Sequence, residues 1–256
     1  MTDHTPVRLA IAGALGRMGQ AVARTADGRD DVRVAARFDR EPSNGLVSRE
    51  DALALADAVI DFTGAGASTE LVAHCAGLER APALIIGSTG FSPEQEASIR
   101  AHQASGKLTV VKAGNFSLGV NMLIGLVRQA AAALPARDWD IEVFEAHHKR
   151  KLDAPSGTAL MLGRAAAEGR GVTLPDTIQP DRNGARISGD IGFSVVRGGG
   201  IIGEHSVLFA GEEEVLTLSH SATDRGLFAR GALAAALWVR GKPPGLYDMQ
   251  NVLGFQ

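Results

Sequence analysis

The chain has 256 residues, 45% hydrophobic and 21% charged, with 26 basic and 29 acidic side chains and a formal net charge of −3. At roughly 150 residues per domain, this is one large domain or two small ones, big enough to bury a core without a disulfide or a metal. The charge balance argues against a broad nucleic-acid surface, and no stretch approaches the roughly 18 apolar residues of a membrane span. The opening residues lack the basic-then-apolar pattern of a secretion signal. The lone cysteine, Cys75, leaves no disulfide to form within the chain. A cytoplasmic protein with no membrane or nucleic-acid partner is expected.

Residues 7–12 form a short apolar run of strand length, followed at once by glycines. A helix-forming stretch from Arg17, a polar turn at 27–31 and a second strand over 32–38 complete a β-α-β unit within forty residues. Further buried strands are predicted at 58–62, 83–86 and 108–111, each followed by small or polar residues. Strands separated by helical stretches, with such loops behind them, imply a parallel sheet whose carboxyl edge binds a ligand.

The rhythm changes near residue 118. A helix is expected over 120–134, a strand over 141–145, a helix over 158–168 and then three strand-like runs at 187–196, 200–209 and 215–220. Consecutive strands favour an antiparallel or mixed sheet. An alanine-rich helix over 226–238 and a short tail end the chain. The fold class is α/β, a Rossmann-type parallel sheet with a second α+β domain.

Gly13, Ala14, Leu15, Gly16, Arg17 and Met18, with Gly19 behind them, occupy the place of a phosphate-binding turn between first strand and first helix. Small residues let the backbone approach a pyrophosphate, and the helix start offers its N–H groups and positive dipole end. The spacing departs from the simplest fingerprint, because Ala14 stands where its first glycine would fall. Asp39, twenty positions beyond Gly19, ends the second strand, where a carboxylate accepts hydrogen bonds from ribose hydroxyls. Arg40 follows and would attract a 2′-phosphate that Asp39 repels, so the pair suits NADH and NADPH alike. Taken singly, either residue would read as an ordinary solvated charge; the glycine turn shifts that weighting.

The densest chemistry lies between Glu145 and Ala159, where His147, His148, Lys149, Arg150 and Lys151 precede Asp153-Ala-Pro-Ser-Gly-Thr158. The latter reads as a helix start with a cap-type residue and a first-turn proline. A cationic loop running into a helix N-terminus suits a small carboxylate, whereas a charge run by itself usually marks a solvated turn. Two adjacent histidines lack the spacings of a metal site, so no metal is expected. Ser156 sits in no nucleophile elbow. His4, His74 and His102 read as surface or core residues, and His205 and His220 as structural strand residues.

These residues identify the chain as resembling the dihydrodipicolinate (4-hydroxy-tetrahydrodipicolinate) reductases of lysine and diaminopimelate biosynthesis. The carriers run almost the whole length: the 13–19 turn, Asp61-Phe-Thr63, Gly87-Ser-Thr-Gly-Phe91, Asn115 to Asn121, the Glu145–Thr158 segment, Gly203-Glu-His205, Arg225 to Ala232 and Gly245 to Met249. The resemblance implies reduction of a cyclic imine bearing two carboxylates, with loss of water, at the expense of NADH or NADPH. It implies a cofactor site of Gly13 to Met18, Asp39, Arg40, Gly87, Ser88, Thr89, Ala113, Gly114, Asn115, Phe116 and Arg225. His147 matches the family's proton donor or acceptor and Lys151 its second proton donor, with His148, Lys151, Gly157 and Thr158 on the substrate's carboxylates. Arg225 reads equally well as part of an interdomain salt bridge. A nucleotide domain of 1–117 plus 225–256, a substrate and oligomerisation domain of 118–224, and a homotetramer are implied too.

Three departures stand out. Ser88 replaces a usual threonine, Gly114 an alanine or proline, and the stretch between Asp39 and Asp61 is shorter than in some relatives. Two domains joined by two crossings are expected to close over their ligands. Two rivals remain open from the residues: a reductase of another imine or amino-acid-derived carbonyl, and a non-catalytic nucleotide sensor. The intact His147–Thr158 segment disfavours the sensor.

Overall fold

The computed structural model describes residues 5–40, 43, 45–175, 184–224 and 226–255; His4 and Arg225 lie outside the described residues. The chain divides into two compact units, Met1–Leu118 with Gly226–Gln256, and Gly119–Arg225.

The first unit is built on six parallel strands. They are β1 (Val7–Ala12), β2 (Val32–Phe38), β3 (Ala58–Asp61), β4 (Ala83–Ile86), β5 (Thr109–Lys112) and β10 (Gly245–Tyr247), in the order β10-β5-β4-β3-β1-β2. Side chains of successive strand residues point to opposite faces, and helices cover both. Leu9, Ile11, Ala58 and Ile60 meet α1 (Arg17–Ala26), α7 (Gly226–Trp238) and α8 (Met249–Leu253). Ala10, Ala12 and Val59 meet α2 (Arg49–Leu55), α3 (Ala65–Ala76) and α4 (Pro93–Gln103). Burial on both faces is why these strands read as unbroken apolar runs. The chain leaves β1 toward β2 on one side and later returns to pair β3 on the other, so the order reverses between β1 and β3. That reversal opens a crevice beyond the strands' carboxyl ends.

Strand β10 and helix α8 lie in the stretch whose sequence reads only as a tail. Three strand residues are too few to carry a period, and α8 is fixed by its cap: Asp248 accepts the N–H groups of Gln250 and Asn251 while Asn251 reaches back to the Asp248 N–H. One glycine in α7 is obligatory. A Cβ on Gly231 would stand 1.6 Å from the Phe116 carbonyl oxygen, so α7 lies directly against the loop after β5.

The second unit carries β6 (Asp140–His147), β7 (Ile191–Arg197), β8 (Glu204–Ala210) and β9 (Val215–Ser221), in the order β7-β6-β8-β9. β7 is parallel to β6 because α6 (Gly157–Gly169) bridges them, and the remaining pairs are antiparallel, giving a mixed sheet. One face packs Ile141, Val143, Val207 and Phe209 on α6 and α5 (Leu118–Ala133). Phe144 and Leu208 alternate to the other face and are half-buried, while Val196 and Val215 are exposed. No described helix is long and apolar enough to cross a membrane.

Candidate active site

A cleft of about 900 Å³ opens at the β1–β3 reversal of the first unit, walled by the glycine turn, Asp39, Arg40, Phe62 and Thr63. Gly13 takes φ +70°, and Gly16 donates its N–H back to the Gly13 carbonyl at 3.0 Å, which turns the chain into α1. A Cβ on Gly19 would sit 2.3 Å from the Gly13 carbonyl oxygen, so the third glycine lets helix and turn touch. Gly16 caps α1 with no side-chain hydrogen bond, leaving that helix start open to an anion. Asp39 is half-buried and fixes the turn: its carboxylate accepts the N–H of Leu15 at 2.9 Å and that of Arg40 at 2.8 Å. A cradle with no room for a Cβ, an open helix start and a fixed acid fit a dinucleotide: Gly13 to Met18 would take the pyrophosphate and Asp39 the ribose.

The loops behind β4 and β5 are sorted by burial. Gly87 is glycine because a Cβ there would meet the Phe62 ring at 2.1 Å. Ser88 is buried and its hydroxyl accepts from Ser68 at 2.8 Å, whereas Thr89 is exposed. Ala113 and Asn115 are half-buried and Gly114 exposed. The Phe116 ring is buried in the core, edge-on to Phe62, so only its backbone is offered to a ligand.

In the second unit a fully buried carboxylate organises the chemistry. Glu145 Oε2 lies 2.5 Å from His147 Nδ1 and accepts from Arg197 at 2.7 Å. Its Oε1 accepts from Arg197 at 2.7 Å and from the Ser156 N–H at 2.9 Å. Burial by itself would raise the Glu145 carboxyl, but the bonds from Arg197, His147 and Ser156 together hold it below the usual range. Ser156 also caps α6, accepting the Ala159 N–H at 3.1 Å, and its Oγ lies 3.0 Å from His205 Nε2. Burial, and then the neighbouring His147, push His205 down to about 4, and the two rings meet edge-on at 5.0 Å.

Around this core lie the residues predicted for the substrate. His148 is half-buried on the turn after β6, and its carbonyl accepts the Lys151 N–H at 3.0 Å. Lys151 extends its ammonium to Asp153 at 2.8 Å. Gly157 is exposed and Thr158 half-buried in the first turn of α6. Glu145, Arg197 and His205 carry no mark of a working residue in the sequence. Arg197 reaches the site through register, since parallel pairing sets it opposite His147, and antiparallel pairing sets His205 opposite Glu145. Local spacing carries no trace of either pairing.

A Rossmann sheet interrupted by an inserted unit with its own polar site is the plan of the two-domain nicotinamide oxidoreductases, and this chain is one of them. The family models "Dihydrodipicolinate reductase, N-terminus" and "Dihydrodipicolinate reductase, C-terminus" match residues 7–116 and 119–253. The chain is 68% identical to the 4-hydroxy-tetrahydrodipicolinate reductase of Caulobacter vibrioides over 98% of both chains. It is 47% identical to that of Sinorhizobium medicae, over 98% of this chain and 99% of the relative. A dipicolinate-bound dihydrodipicolinate reductase from a Paenisporosarcina species superposes with a TM-score of 0.79 at 28% identity, covering 96% of this chain and 99% of the other. The chain belongs to the dihydrodipicolinate reductase family.

Proposed function

We propose that the chain reduces 4-hydroxy-tetrahydrodipicolinate to tetrahydrodipicolinate, with loss of water, on the route to diaminopimelate and lysine. Relatives of that name at 68% and 47% identity over nearly their whole length support this reading. The observation that carries the chemistry is the pair formed by buried Glu145 and His147 beside the start of α6.

The nicotinamide dinucleotide, when bound, supplies the hydride. The first unit would hold it at the 13–18 turn, with Asp39 on the ribose, Arg40 beside any 2′-phosphate, and the 87–89 and 113–116 loops toward the nicotinamide, so NADH and NADPH are both accepted. Arg225 keeps its family role as a cofactor contact within this proposal. The second unit would hold the substrate. Its two carboxylates call for cationic and N–H donors, which His148, Lys151, Gly157 and Thr158 provide at a helix start. Loss of the 4-hydroxyl as water leaves a conjugated ring, and reduction leaves the electrons on an anionic enamine that needs a proton. His147 exchanges that proton, and Lys151 stabilises the developing charge and serves as second donor once it leaves Asp153.

We read the working form as a cytoplasmic homotetramer. The half-buried Phe144 and Leu208 with exposed Val196 and Val215, on the sheet face away from α5 and α6, support self-association there. The test of function is the absorbance of NADH and of NADPH at saturating substrate, made freshly by the aldol-type synthase reaction that supplies it. Oxidation of at least one dinucleotide is expected; none with either overturns the proposal.

A further inference from the structure

Both oxygens of the Glu145 carboxylate are fully used. An ionised carboxylate has about four lone-pair sites; two nitrogens of Arg197 and the Ser156 N–H fill three, and His147 Nδ1 stands 2.5 Å from Oε2 at the fourth. Arg197 is itself held in place, donating to the Asp153 and Val196 carbonyls. A saturated, buried acid of this kind has no site left for a proton. It acts as a fixed acceptor, so the nitrogen facing it must carry a hydrogen.

We infer that Glu145, clamped by Arg197, is a positioning residue that holds His147 protonated at Nδ1 and so reserves Nε2 as the atom that exchanges protons with the substrate. The hydrogen bond made by one imidazole nitrogen sets the role of the other. Nε2 makes no hydrogen bond among the described residues and faces Gly203, where a Cβ would come within 3.2 Å of it. The Ser156 N–H, on the residue that caps α6, binds the same carboxylate, so Glu145 also ties the orientation of the ring to the helix start proposed to receive the substrate's carboxylates. The second histidine does not compete for this role. His205 is buried and pairs through Nε2 with the Ser156 hydroxyl.

The inference rests on His147 being the proton-exchanging group, and the test separates the two. Glu145→Gln keeps the shape but turns an amide N–H₂ toward Nδ1, so Nδ1 must accept and the proton moves to Nε2. Side-chain ¹⁵N spectra of histidine-labelled protein should show His147 protonated at Nδ1 in the parent and at Nε2 in Glu145→Gln. Turnover should fall about 100-fold, with the Kd for NADH unchanged. A ring still protonated at Nδ1 in the variant overturns the inference. So does near-parental turnover in Glu145→Gln beside an inactive His147→Gln. Near-parental turnover in His147→Gln instead removes the proton-exchange reading, and the inference with it. Should Glu145→Gln fail to fold, Arg197→Lys keeps the charge and loses the fork; about a tenfold loss of turnover is expected, and none overturns the clamp.

Discussion

The Asp39 carboxylate accepts the Leu15 N–H at 2.9 Å, so the acid beyond β2 and the glycine turn beyond β1 are one rigid piece. Its other oxygen accepts the N–H of Arg40, which leaves the guanidinium exposed at the cleft mouth. Arg40→Ala is therefore expected to raise the KM for NADPH by about tenfold, the loss of one exposed charge-assisted contact of 1–2 kcal/mol, and to leave the KM for NADH nearly unchanged. Steady-state kinetics with the two dinucleotides check this, and equal effects on both would count against it.

Proton exchange is expected to need His147 and Lys151 separately. His147→Gln and Lys151→Ala should each lower kcat by 10²-fold or more, on the order of what a positioned acid or base contributes. NADH titrations should match the parent, because neither residue belongs to the first unit's cleft. Loss of NADH binding in either variant would contradict the division of labour.

Helix α7 reaches the loop after β5 through a missing side chain. Gly231→Ala places a methyl 1.6 Å from the Phe116 carbonyl oxygen, and the backbone on both sides must shift. Overpacking of this sort costs about 1–3 kcal/mol, which lowers Tm by several degrees in a chain of this size. NADH affinity should drop with it, since the displaced backbone is the 113–116 loop. A melting curve and a titration superposable on the parent's would refute this contact.

His205 makes stability depend on pH. Its folded value of about 4 lies below the ordinary histidine value of 6.5, so between those limits the unfolded chain binds the extra proton. Stability is then fully present above pH 6.5 and drains away as pH falls toward 4, by on the order of 3 kcal/mol over the window. The groups facing His205 are His147, Glu145, His220 and Lys151, of which only the Glu145 charge favours its protonation. Urea unfolding at pH 7 and pH 4.5 should show a smaller difference in His205→Gln than in the parent. Equal differences would assign the acid sensitivity elsewhere.

Much of the first unit was legible because its signals are local. Buried parallel strands read as apolar runs, and the 83–86 strand and the 226–238 helix fall at the predicted residues. The strands at 7–12 and 32–38 match as well, while the other strand ends differ by one to a few residues; the 200–209 run, for instance, begins pairing only at Glu204. The candidate residues from His147 to Thr158 are contiguous, so charge and a helix-start pattern exposed them. Glu145 sits in the same segment, yet as a single acid in an alternating strand it carries no mark of function. Arg197 lies some fifty residues from Glu145 in sequence, and its service to that acid depends on strand register set by α6 crossing over to β7. Ser88 shows the converse: its motif pointed to a ligand, while its hydroxyl is buried against Ser68.

The discontinuity of the first unit has a consequence for biosynthesis. Strand β5 pairs on one side with β4 and on the other with β10, and Ala229, Ala232, Leu233, Ala235 and Ala236 of α7 complete one of the two cores. Both arrive after the inserted unit has been made. During synthesis, at about 5–20 residues per second, the nascent nucleotide sheet therefore waits for seconds with one edge bare and with one apolar face covered by α1 but not yet by α7. That edge closes only once residues 245–247 have been made and pair with β5.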